Sequence, residues 1–143
     1  MAGKERIIRK IIADIDWFII ERVRELRKSK FSQTALSIEI GFAEGFIGRI
    51  ENPNHSAVYS PRHINLLANA LKVKISDILP PNPLPNDLIL LVIKIKPATK
   101  LKTGEKNYEV IEKIPLTEDE IKDFNSKKLN RLKKTFRQNE RKK

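Results

Sequence analysis

The side chains able to carry covalent or metal chemistry are few. There is no cysteine and there are only two histidines, His55 and His63. Without cysteine the chain has no disulfide, no thiolate zinc site and no sulfur nucleophile. Neither histidine has a Cys, a second His or a carboxylate at ligand spacing, so no metal is expected. Glu118, Asp119 and Glu120 are the densest carboxylates, but they fit the negatively charged first turn of a helix, not an acid–base pair. No GxSxG, no phosphate-cradling glycine loop and no HExxH motif occurs. The expectation is therefore a non-enzymatic protein with no cofactor. What the chain has in excess is cationic nitrogen: 29 Lys and Arg stand against 18 Asp and Glu, a net charge of +11. Such a balance suits a polyanionic partner. The excess is concentrated in residues 126–143, with nine basic residues and one acidic. There Lys127, Lys128, Arg131, Lys133, Lys134 and Arg137 would supply sequence-blind attraction to phosphates. The bland alternative is a solvated terminal helix.

Elements must position these groups. With 40% hydrophobic and 33% charged residues the chain has apolar mass for a core, and wholesale disorder is not expected. Its longest apolar run, Leu88 to Ile93, falls far short of the ~18 residues of a membrane span. No secretory signal pattern is visible, so the expected location is the cytoplasm. Four of the eight prolines fall in Pro80–Asp87, which predicts an extended linker. It divides the chain into a helical unit over 1–79 and a second unit over 88–143.

In the first unit Ile15, Phe18, Ile19, Val23 and Leu26 recur at helical steps, with Asp16 as a candidate cap. Ile7, Ile8, Ile11 and Ile12 either extend this helix upstream or form a separate short segment. Ser32 predicts the start of a second helix over Gln33–Ile40, which Gly41 stops by supplying a positive φ. A third helix is predicted over Glu44–Glu51, ended by Asn52-Pro53. Ser60 and Pro61 start a fourth, with Ile64, Leu67, Ala68 and Leu71 as its core stripe, and a short fifth follows Ser76. In the second unit Leu88–Lys96 and Asn107–Ile114 read as strands of a hairpin, with Gly104 in the connection. Thr117 and Glu120 form a capping box, and Leu116 with Ile121 a hydrophobic staple. The helix they start is predicted to reach about Phe136, past Phe124, Leu129 and Leu132. A hairpin apolar on both faces is marginal alone, so this unit is expected to find cover against a second copy. The expected fold class is mainly α, with a small α+β C-terminal part made of the hairpin and the basic helix.

Helices two and three, joined by a tight glycine turn, make a helix-turn-helix pattern. Ile47 and Ile50 would face inward, while Glu44, Gly45, Gly48 and Arg49 would face a groove. Gln33-Thr34-Ala35-Leu36-Ser37, then Gly41, then Ile47, Ile50, Glu51 and Asn52, resemble the Cro and lambda-repressor-like (XRE) helix-turn-helix family. Leu66-Leu67-Ala68 to Leu71-Lys72-Val73 resembles its fourth helix. The likeness covers about residues 16–79. It implies a dimeric, sequence-specific transcriptional regulator, such as a repressor, with double-stranded DNA as partner and helix three in the major groove. At matching positions it implies base reading by Gln33, Glu44, Gly45 and Arg49, with Arg49 able to pair bidentately with guanine. It implies phosphate contacts by Lys30, Asn52 and Arg62. Gly41, Ile47, Ile50 and Glu51 would be structural, and Glu51 would pair with Arg24 or Arg27 of helix one.

The sequence also departs from the family's pattern. Ser37 stands where Ala is usual, Ala43 stands at the usual Ser or Thr cap of helix three, and Pro53 follows Asn52 where Gly is usual. Gly45 and Gly48 occupy the reading face, and Phe46 suits packing better than readout. The weakened reading face keeps two alternatives open. One is a protein-interaction module such as an antitoxin. The other is RNA binding through the basic tail.

Overall fold

The computed structural model describes residues 5–96 and 108–127. In chain order it contains β1 (Arg6–Ala13), α1 (Asp14–Arg27), α2 (Gln33–Glu39), α3 (Phe46–Glu51), α4 (Pro61–Leu71), α5 (Ile75–Ile78), β2 (Leu88–Ile95) and β3 (Tyr108–Pro115). A further helix, α6, begins at residue 118 and is described to 127.

The expectation of a mainly α fold with a C-terminal hairpin is overturned. The strands form a three-stranded antiparallel sheet in the order β1-β2-β3, and its first strand comes from the N-terminus. Ile7 pairs with Lys94 and Ile12 with Ile89, so β1 runs the length of β2. The spacing of Ile7, Ile8, Ile11 and Ile12 fits a helical face as well as it fits the two sides of a strand. β-Branched residues favour the strand, and β2 has an edge to pair. β1 thus supplies, from the same chain, a strand that the hairpin lacks. The sheet joins residues on both sides of the Pro80–Asp87 segment, which is neither helix nor strand.

Because β1 runs straight into α1, Asp16 is not the helix cap. Ala13 holds that position with no side-chain bond, and the Asp14 amide donates to the Asp87 carbonyl at 2.9 Å. β2 puts Ile89, Leu91, Ile93 and Ile95 into the core, joined by Ile12 of β1 and Tyr108 of β3. The core continues through Trp17, Ile20 and Val23 of α1 to Leu36, Ile47, Leu67 and Leu71. The other face of the sheet carries Ile7, Ile11 and Ile114, all exposed. β3 carries a bulge: Val110 pairs with Ile93 and Glu112 with Val92, leaving Ile111 as the extra residue. Thr117 and Glu120 make reciprocal backbone bonds of 3.0 and 3.2 Å, so α6 starts at a capping box. The predicted strand connection at Gly104, and Leu129, Leu132 and Phe136 of the predicted helix, lie outside the described residues. Among those described, no helix is long and apolar enough to cross a membrane.

Candidate nucleic-acid interface

Local rules place α2 and α3. Ser32 caps α2 by accepting from the Ala35 amide at 3.0 Å. Gly41, at φ +85°, makes the turn that β-carbon-bearing residues resist. α3 starts at Phe46, two residues later than predicted, and Glu44 and Gly45 form the turn before it. Gly45, which holds the cap position in place of the expected Ala43, has no side-chain acceptor, and the bond comes from α2 instead. The fully buried Ser37 hydroxyl accepts from the Ile47 amide at 3.0 Å and donates to the Gln33 carbonyl at 2.8 Å. Ser37 is thus more than a small residue at a close helix contact. A helix start without a cap needs an acceptor from elsewhere, and the lack of a Ser, Thr, Asp or Asn at Gly45 is the signal for it.

The far end of α3 is held by charge. Glu51 is 3% exposed and sits between two buried guanidinium groups of α1. Arg24 Nε donates to Glu51 Oε1 at 3.1 Å and Arg24 Nη2 to the Glu51 carbonyl at 3.0 Å. Arg27 Nε donates to Glu51 Oε2 at 2.6 Å, and Arg27 Nη2 donates to Oε1. Both arginines therefore hold Glu51, where the family likeness implied one or the other. Burial alone would raise the Glu51 carboxyl's pKa. The hydrogen bonds from Arg27 and Gln33 and the charges of Arg24 and Arg27 outweigh it and hold that pKa below the usual carboxylate range. Arg24 is the converse case. Burial opposes its charge, but Tyr108, Glu51 and Glu21 raise its pKa further.

The residues expected to read bases are not equivalent. Arg49 and Glu44 are exposed, with no side-chain hydrogen bond or ion pair among the described residues, and Gly45 opens on empty space. Gln33 is turned inward, its amide donating to Glu51 Oε1 at 3.0 Å. A β-carbon on Gly48 would lie 3.2 Å from Gln33 Oε1. Gly48 thus leaves room for the end of the Gln33 side chain, which a β-carbon there would push aside by a few tenths of an ångström.

The residues expected at phosphates are partly engaged. Lys30 Nζ donates to the Leu71 carbonyl at 2.6 Å, at the end of α4. Asn52 Oδ1 accepts from the Asn54 amide at 3.0 Å. The exposed Arg62 lies 5.3 Å above the Phe42 ring. Ile47 and Ile50 are buried and Gly41 makes the turn. Lys127 pairs with Asp123 at 3.0 Å; Lys128, Arg131, Lys133, Lys134 and Arg137 lie outside the described residues.

Phe46 packs. Its ring stacks on Phe42 at 4.5 Å and meets His63 at 4.8 Å and Tyr59 at 6.4 Å. This cluster, buried at Tyr59 and half-buried at Phe42, Phe46 and His63, joins the starts of α3 and α4. At α4, Ser60 and His63 form a capping box in which His63 Nδ1 accepts from the Ser60 amide at 3.0 Å. That acceptor role requires the neutral ring. Burial, with the charge of Arg62, lowers the pKa of His63.

The chain matches no family model, no curated protein and no solved structure. Among the described residues no group of three His, Cys, Asp or Glu side chains is placed to hold a metal ion.

Sequence reasoning missed two further hydroxyls. Tyr108 of β3 reaches the Arg24 guanidinium, and Tyr59, 4% exposed, lies buried near the same charges with its hydroxyl unpaired among the described residues. Burial pushes both phenols well above their ordinary pKa, so they are neutral.

Proposed function

We propose that this chain is a non-enzymatic, XRE-type DNA-binding regulator that lays α3 in the major groove of double-stranded DNA and acts as a homodimer in the cytoplasm. The observation that carries the reading is the state of α3. Its inner residues are buried and both its ends are bonded to neighbouring helices, through Ser37 at the start and Arg24 and Arg27 at the end. Its outer side leaves Arg49 exposed and unpaired among the described residues. A rigid helix with a free guanidinium is what direct readout needs, because a bidentate contact to guanine discriminates only if its geometry is held. Glu44, in the turn before α3, would accept from cytosine N4. The exposed Arg62 and the basic tail would add phosphate contacts that carry no sequence information.

The test is selection of fragmented genomic DNA by the full-length protein at ~150 mM salt, a concentration at which sequence-blind binding is reduced. The expected result is enrichment of paired half-sites with centres about 34–36 Å apart. Arg49→Ala should lose about 1–3 kcal/mol at the preferred site and little on random duplex. Retention without enrichment would overturn the reading.

A further inference from the structure

We infer that Tyr108, on the sheet and far in sequence from the helix-turn-helix, is a positioning residue for α3. The inference rests on the DNA-reading proposal only for its consequence, not for its geometry. Arg24 has three guanidinium nitrogens, and the fold uses them all. Nε and Nη2 hold the side chain and the backbone carbonyl of Glu51, the last residue of α3. Nη1 donates to the Tyr108 hydroxyl, which in turn donates to Glu21 Oε1 at 3.2 Å. The Arg24 guanidinium also lies 4.9 Å from the centre of the Tyr108 ring, which packs at 6.1 Å against Trp17. A planar guanidinium fixed along one edge and across its face has one orientation left for the other edge. The β3 strand therefore sets the angle at which Arg24 grips α3.

Arg24 and Tyr108 are both buried, with Tyr108 at 3% exposure, so water cannot easily replace a lost hydroxyl. In this arrangement the sheet is part of the reading apparatus: whatever shifts β3 moves the C-terminal end of α3.

The experiment compares full-length wild type with Tyr108→Phe, which keeps the ring and removes the hydroxyl. Val110→Ala is the control, a β3 residue packed against the core that bonds to none of these groups. Amide hydrogen exchange over residues 46–51 is read first, then the ratio of affinity for the selected site to affinity for random duplex. Tyr108→Phe is expected to speed exchange across α3 and to lower that ratio about tenfold, the loss of one hydrogen bond to a charged group. Val110→Ala is expected to lower the melting temperature while leaving both readouts as in wild type. Should Tyr108→Phe fail to fold, Glu21→Gln, which weakens the hydroxyl's acceptor and also the 3.7 Å ion pair of Glu21 with Arg24, should speed α3 exchange more weakly. Unchanged exchange in Tyr108→Phe, or equal effects of Tyr108→Phe and Val110→Ala, would overturn the inference. If wild type selects no site, the DNA-reading proposal falls, and α3 exchange alone decides the role of Tyr108.

Discussion

One hydroxyl, on Ser37, does the work that the usual cap position leaves undone. It bonds in both directions, to the Gln33 carbonyl behind it and the Ile47 amide in front. A buried amide left without an acceptor costs about 1–3 kcal/mol. Ser37→Ala should therefore destabilise the fold by about that much, read as a shift in urea midpoint at constant slope. No loss would mean that another acceptor reaches the Ile47 amide. Glu51 is a different case, because its carboxylate neutralises two buried cations at once. A carboxyl whose pKa is lowered in the fold contributes stability above its unfolded pKa, and that stability is lost as pH falls through the lower, folded value.

At the level of elements, α4 carries a pH-sensitive cap. Its capping box closes only while His63 Nδ1 accepts from the Ser60 amide. The folded pKa of His63 lies below its ordinary value, so the unfolded chain takes up the proton first. The stabilisation is complete above about pH 6.5, the ordinary value for histidine. It is lost as pH falls from there through the folded pKa. Melting temperature should drop over that window in wild type, and His63→Ala should be less stable near neutrality but flatter across it. An equal slope in both would remove His63 from the account. α3 and α4 share the cluster of Phe42, Phe46 and His63, so loosening of α4 should reach the start of α3.

For the molecule as a whole, the consequence of the sheet is that the helical unit does not stand alone. β1 lies beside β2 along its whole length, and the core runs unbroken from Ile93 to Leu71. A fragment of residues 1–79 would leave β1 without its partner strand and would uncover Ile12 and Trp17. It should melt well below the full chain or fail to fold, and circular dichroism during heating reads this directly. A fragment as stable as the full chain would show that the sheet adds nothing to the helices. Gel filtration of the same pair would also show whether assembly depends on the second unit.

How much was legible follows from which signals are local. Caps, the glycine turn and the helical stripes act within a few residues, and so the sequence alone determined α2, α4 and α6 at their starts, the inward side of α3 and the two C-terminal strands; the pairing of Glu51 with α1, across 24 and 27 positions, was implied only by the family likeness. The two extra residues given to α3 and the cap given to α1 failed at boundaries, where Gly45 and the strand entering Asp14 compete with weak local preference. Only the tertiary structure decided the fate of Ile7, Ile8, Ile11 and Ile12, since their pattern satisfies both a helix and a strand until β2 offers an edge. Only it could show Ser37 capping a different helix, Gln33 turning inward over Gly48, and Tyr108 meeting Arg24 across 84 positions of chain. Hydrogen bonds between residues distant in sequence leave no periodicity behind them, and they form where the folded core brings a donor and an acceptor together away from water.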